Sequence, residues 1–223
     1  MFAGKYASLI LAAGFSTRMR QGFKPLLSIP FMDGSRSALE NLARIYSAAG
    51  VSPVLLVGGQ VNQAALAAEA QRLGLDYVQN PDARRGMFST VRIGLQHLIA
   101  LAPACSGCFV HPVDIPLVQR DTVRLLLAAA RHHPGDVLIP EFENRQGHPP
   151  VIPAAYFAGI CAMAGRDGLR GALMTLPRRP VAVGDSAILL DMDTDDDFTI
   201  VCDRAARLYA QDAPGMNQTG RGL

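Results

Sequence analysis

Apolar residues recur along this chain in two alternating rhythms. Short unbroken runs, such as Ser-Leu-Ile-Leu at 8–11 and Pro-Val-Leu-Leu-Val at 53–57, are separated by longer Ala/Leu-rich segments of helical periodicity. Unbroken runs suit strands covered on both faces, and the helical spacing suits one buried helix face. The pattern predicts strands over 6–11, 53–57, 76–79, 108–112 and 137–140, and helices over 37–49, 60–73, 89–101 and 121–132. Gly50, Gly74 and the Pro134-Gly135 pair stand where helices should stop. A helix near 154–164, strands near 180–183 and 187–190, and a last helix over about 196–210 complete the reading. From Gln211 onward turn formers replace periodicity, so one domain over 1–210 and a mobile tail over 211–223 are expected. Such alternation predicts an α/β fold, a mainly parallel sheet with helices on both faces, which binds ligands beyond the C-terminal ends of its strands.

Composition narrows the function classes. With 49% apolar residues in 223, the chain can bury a core and does not read as disordered. A net charge of +2 is too balanced for general nucleic-acid binding, and no apolar run reaches membrane-spanning length. Residues 1–6 lack the layout of a signal peptide, so a cytoplasmic protein is expected. Cys105, Cys108, Cys161 and Cys202 make no disulfide framework at this length. Cys105 and Cys108 form a C-x-x-C without the second pair or histidines that a zinc site needs. No long heptad pattern is visible, and a monomer is expected.

The loop after the first strand carries the first chemical signal, Leu-Ala-Ala-Gly-Phe-Ser-Thr-Arg-Met-Arg-Gln-Gly-Phe-Lys-Pro. A dinucleotide fingerprint would need three spaced glycines, and only Gly14 is present at the turn. A P-loop would not follow its lysine with Pro25. A wider phosphate-binding loop fits better. Ala12, Ala13 and Gly14 let backbone N–H groups approach an anion closely, and Arg18 and Lys24 supply charge for a transferred phosphate. An ordinary strand–turn carrying solvated cations is the other reading of these residues. Asp114 follows a strand between Pro112 and Pro116, where it is either a ligand-facing carboxylate or an Asx-turn. Five aspartates lie within 191–197. Asp195, Asp196 and Asp197 read as an acidic helix start capped by Thr194 or Asp195, whereas Asp191 and Asp193 alternate out of a strand.

Together these segments resemble the molybdopterin-cofactor-like nucleotidyltransferases, whose signature is LAAGxSxRMGxxK. The resemblance runs from about residue 8 to residue 198 and implies a Rossmann-like, GT-A-type fold. It also implies magnesium-dependent transfer of CMP from CTP to the phosphate of molybdopterin, with release of pyrophosphate. The signature's cations match Arg18 and Lys24. Nucleotide contacts are implied for Leu11, Ala12, Ala13, Gly14 and Ser16, and, from the N-P…G-M-x-x-S segment, for Asn80, Gly86, Ser89 and Thr90. A helix cap is the structural alternative for Ser89 and Thr90. The implied Mg²⁺ ligands are Asp114 and Asp193, with Asp191 beside them. Gly147, His148 and Pro149 match a family Gly-His-Pro that faces the acceptor, and 166–171 matches another acceptor-side segment. The chain departs from the signature at Arg20, which replaces a glycine, and its gap to Lys24 is one residue longer, with Gly22 in reach of the glycine's role. The LAAG form, through Ala13, accompanies cytidine rather than guanosine members. The resemblance further implies delivery of product to an apo molybdenum hydroxylase. Two alternatives stand beside this reading: the same chemistry on a sugar or polyol phosphate, and a non-catalytic cofactor carrier, which would have lost its metal ligands.

Overall fold

The computed structural model of the chain describes residues 4–16, 18–165 and 167–208. In chain order the first half comprises β1 (Lys5–Ala12), β2 (Ser28–Phe31), β3 (Gly34–Ser37), α1 (Ala38–Ala48), β4 (Val54–Gly58), α2 (Gln63–Leu73), β5 (Asp76–Gln79) and α3 (Met87–Leu101). The second half comprises β6 (Cys105–Pro112), α4 (Arg120–His132), β7 (Val137–Phe142), β8 (Arg145–Gln146), β9 (Val151–Pro153), α5 (Phe157–Ala162), α6 (Gly168–Met174), β10 (Arg178–Ala182) and α7 (Asp195–Ala205). The main sheet runs β10-β7-β9-β6-β1-β4-β5, with β8 paired to β7. Within this sheet all pairings are parallel except those of β9 with β6 and β7 and of β8 with β7, and β2 and β3 form a separate antiparallel pair.

Period-two alternation in the strands divides the core into two layers. Ile10, Leu56, Phe109 and Leu138 face a cluster built with α1, α2, α4 and α7. Leu9, Leu11, Leu55, Val57 and Val110 face one built with α3, α5 and α6. A β-carbon at Gly94 would stand 3.0 Å from Leu9 and Val57, so this glycine lets α3 lie close on the sheet. Helix ends follow the expected chemistry. Ser37 caps α1 by accepting from Glu40 N, and Gly74 closes α2 in the left-handed conformation at φ 67°. Thr194 caps α7 in a reciprocal box with Asp197, and Asp195–Asp197 form its acidic first turn as expected.

Several elements differ from expectation. The apolar run expected as a strand over 187–190 is a single 3-10 turn, Ser186–Leu189. Its start is captured by the Asp185 carboxylate, which accepts from Ala187 N. The helix expected over 154–164 divides into a 3-10 turn, Ala154–Tyr156, and the short α5. The hairpin β2–β3, the antiparallel β9 and α6 fall outside the expected elements, being four, three and seven residues long, too short for periodicity to declare them. Helix α7 ends at Ala205, and the expected tail over 211–223 lies outside the described residues. Among the described residues no helix is long and apolar enough to cross a membrane.

Asp185 is 2% exposed and joins the 3-10 turn to α4. It accepts from Gln119 N at 2.8 Å, Thr122 Oγ1 at 2.9 Å and Ala187 N at 3.0 Å. Replacing it with alanine strands these buried donors, at a cost of about 3 kcal/mol. Asp185→Ala should therefore lower the thermal midpoint by roughly 6–12 °C in a chain of this size. A calorimetric scan checks this, and a fall of less than about 2 °C contradicts the clip.

Candidate active site

The C-terminal ends of β1 and β6 open onto a cleft of about 410 Å³. Its floor is the loop after β1. Ser16 adopts φ 51°, its carbonyl accepts from Met19 N at 3.2 Å, and its hydroxyl accepts from Lys24 N at 3.3 Å. Met19 is buried and anchors the loop to the core. Gly22 has φ +134°, a conformation that disfavours any residue with a β-carbon. Arg20, the departure from the signature, donates its backbone N–H to Asp195 Oδ1 at 3.1 Å, so the longer loop is tied to the start of α7. From the other side Gly59 packs so tightly that a β-carbon would lie 2.9 Å from Ala13 O.

Two carboxylates meet Lys24 in this cleft. Asp114 follows β6, and Asp193 precedes α7. Met192 N donates to Asp114 O at 2.8 Å, which joins the two segments. Lys24 Nζ lies 2.5 Å from Asp193 Oδ1 and 3.7 Å from Asp114 Oδ2, and Arg18 reaches Asp193 Oδ2 at 2.7 Å. Burial pushes the Asp114 carboxyl above its ordinary value, Lys24 opposes, and Asp193 adds to the rise. Burial also acts upward on Asp193, but hydrogen bonds and charge from Lys24 and Arg18 outweigh it and hold that carboxyl low. An all-oxygen pair suits a hard divalent cation, which takes one or two protein carboxylates and completes its shell with phosphate oxygens and water. Among the described residues no group of three or more His, Cys, Asp or Glu could hold a metal ion.

Of the residues singled out from the sequence, Leu11, Ala12, Ala13, Gly14, Ser16, Arg18, Lys24, Gly86, Thr90, Asp114 and Asp193 line this one cleft. Asn80 and Ser89 line instead a neighbouring pocket of about 200 Å³. The buried Asn80 amide donates to Ser89 Oγ at 2.9 Å and Thr90 Oγ1 at 3.0 Å, so it braces the cleft wall from behind. Neither hydroxyl caps α3. The helix starts at Met87 with Gly86 as its cap residue, which puts both inside the first turn. Gly147, His148 and Pro149 do not line the cleft. Gly147 is demanded by packing, since a β-carbon would stand 2.3 Å from Ile188 O, and His148 N donates to Ile188 O at 3.0 Å. Asp191 is exposed and also lies outside the lining. Arg166 is outside the described residues. All four cysteines are free thiols, and burial pushes the Cys108 thiol well up. Sequence reasoning missed Phe15, Arg84 and Met87, which also line the cleft. The second arginine-rich turn at 83–85 was the available signal for Arg84.

Comparison with known proteins bears on this geometry. The profile of the MobA-like NTP transferase domain matches residues 8–180. The molybdenum cofactor cytidylyltransferase of Escherichia coli K12 is 24% identical over 198 residues, covering 88% of this chain and 95% of that protein. The molybdenum cofactor guanylyltransferase of Mesorhizobium japonicum is 30% identical over 182 residues, covering 79% and 76%. A Mycobacterium tuberculosis H37Rv protein solved in complex with manganese superposes with a TM-score of 0.72 at 25% identity, covering 90% of this chain and 98% of that one.

The two carboxylates should respond to neutralisation with opposite signs. A carboxyl raised by folding opposes folding at neutral pH, and that cost fades as pH falls below its folded value. A lowered carboxyl contributes stability above its unfolded value and loses it as pH falls through the folded value. Asp114→Asn should therefore raise the melting midpoint at about pH 7, and Asp193→Asn should lower it; the Asp114 difference shrinks as pH falls towards about 4, whereas the Asp193 difference persists there and fades only at lower pH. Thermal melts at the two pH values check this, and shifts of the same sign at neutral pH contradict the assigned electrostatics.

Proposed function

The chain belongs to the MobA-like NTP transferase family, and from that premise we propose that it transfers CMP from CTP to the phosphate of a molybdopterin-type acceptor. The observation that carries this reading is Lys24, set between Asp114 and Asp193 in a cleft opened by the Ala13-Gly14 turn. The acceptor phosphate oxygen attacks the α-phosphorus of CTP. A new P–O bond forms, the bond from the α-phosphorus to the bridging oxygen breaks, and pyrophosphate leaves with the electron pair. The attacking oxygen is already anionic at neutral pH, so no general base is needed, and the protein's tasks are positioning and charge stabilisation.

In this reading backbone amides of the loop after β1 cradle the phosphates, and Lys24 and Arg18 neutralise charge as it develops on them. Asp114 and Asp193 would hold Mg²⁺, which would supply positive charge to offset that of the phosphates. The mycobacterial relative is solved in complex with manganese, which supports use of a divalent ion. Thr90 and Gly86 contact the nucleoside end, with Asn80 and Ser89 bracing them from the neighbouring pocket. Gly147, His148 and Pro149 belong with the acceptor, beyond the nucleotide cleft. The named relatives divide between cytidine and guanosine, so the choice of CTP rests on Ala13. Retention of Asp114 and Asp193 argues against a non-catalytic carrier. The reading extends to a cytoplasmic monomer that hands its product to an apo molybdenum hydroxylase.

Calorimetric titration with CTP, GTP, ATP and UTP, with and without Mg²⁺, tests the assignment. Magnesium-dependent preference for CTP is expected. Preference for GTP overturns the base assignment, and binding of no triphosphate overturns the transferase reading. In single-turnover assays Lys24→Ala should lose roughly 10²–10³ in rate, as for removal of one transition-state donor. A loss under about threefold removes Lys24 from catalysis.

A further inference from the structure

Three consecutive carbonyls of the turn that carries Asp114 are each claimed by a donor from a different part of the fold. Asp114 O accepts from Met192 N at 2.8 Å, Ile115 O from His111 Nε2 at 2.9 Å, and Pro116 O from Asn41 Nδ2 at 2.8 Å. The last two donors are buried side chains, and each is locked from behind. A carbonyl oxygen can only accept, so His111 carries its proton on Nε2, and Nδ1 accepts from the Tyr46 hydroxyl at 2.8 Å. Burial pushes this imidazole down to about 3, so it stays neutral across the working range of pH. Arg36 has donors only, so Asn41 must turn its Oδ1 towards Arg36 Nε, 2.9 Å away, which leaves its amide nitrogen for Pro116. Arg36 is in turn gripped by both oxygens of Asp33 and lies 3.9 Å over the Phe31 ring.

Buried polar groups are costly unless fully paired, and an apolar core would be cheaper. Eight polar or charged residues are buried among the described ones; two of them, Asn41 and His111, bond this one turn, and a third, Arg36, bonds Asn41. Among the described residues, these bonds reach neither the loop after β1 nor Asp193. We propose that Asn41 and His111 are positioning residues for nucleotidyl transfer: by holding the Pro116 and Ile115 carbonyls they set the backbone from which Asp114 presents its carboxylate to a divalent ion. The inference rests on the nucleotidyltransferase reading above. It adds that helix α1, which supplies Asn41 and Tyr46, and the hairpin residue Arg36 govern metal affinity without touching nucleotide or ion.

The test is calorimetric titration of CTP, with and without Mn²⁺, into the wild type, Asn41→Asp and Tyr46→Phe. Asn41→Asp keeps an acceptor for Arg36 but cannot donate to Pro116 O, and Tyr46→Phe removes only the hydroxyl behind His111. Loss of a group that orients a metal ligand costs about 10–100-fold in metal affinity. The gain in CTP affinity conferred by Mn²⁺ should therefore fall about tenfold in Asn41→Asp and by a smaller factor in Tyr46→Phe. Metal-free CTP affinity should stay within about twofold of wild type in both, because the loop that holds the phosphates is untouched. An unchanged Mn²⁺ gain in either folded variant overturns the inference. So does a fall in metal-free affinity that matches the fall in the gain, which marks a merely structural role. A wild type that binds CTP with no Mn²⁺ gain removes Asp114 as the metal ligand, and this inference with it. A wild type that binds no CTP overturns the underlying reading itself.

Discussion

Two carboxylates that must come together would repel one another, and Lys24 is the cation that holds them. Its partner Asp193 is 169 residues away in the chain, and Asp114 comes from a third segment, so only the completed fold assembles the cluster. The three groups are unequal. Lys24 bonds Asp193 directly at 2.5 Å and stands 3.7 Å from Asp114, and the two carboxyls shift in opposite directions, because burial prevails at Asp114 while the bonds and charge of Lys24 and Arg18 prevail at Asp193. A carboxylate left under-compensated inside the protein is costly on its own account, and such groups collect where a charged ligand completes the balance.

The architecture exists to make that meeting possible. Parallel strands β1 and β6 lie side by side in the middle of the sheet, so their C-terminal ends deliver the loop after β1 and the Asp114 turn to the same edge. The acidic segment before α7 is joined to them through the Met192 N to Asp114 O bond and the Arg20 N to Asp195 bond. The buried side chains of α1 then fix the turn from beneath. Each group thus sits on a loop or turn at the end of a regular element, and the bonds between these segments tie them together.

Much of this was legible along the chain because it is local. Buried strands appear as unbroken apolar runs, helix stops as glycine, and the phosphate loop as small residues followed by cations. Gly22 takes the glycine conformation that the longer loop called for. What was not legible depends on tertiary contact. Ala187 to Leu190 reads as a strand, but the neighbouring Asp185 captures Ala187 N and winds a turn instead. The three residues of β9 show no period at all, and their antiparallel place between β7 and β6 is set by the sheet. Ser89 and Thr90 look like caps, but Gly86 at φ 89° starts the helix earlier and Asn80 takes both hydroxyls. Asn41 and His111 look like ordinary core-facing residues until their carbonyl partners are seen.

The most direct test of the central claim is a crystal structure with CTP and Mn²⁺, with the metal located by its anomalous scattering. The account predicts one ion bonded to carboxylate oxygens of both Asp114 and Asp193, with Lys24 Nζ on a phosphate oxygen of the nucleotide. An ion bound away from either aspartate, or a nucleotide whose phosphates Lys24 does not touch, would contradict it.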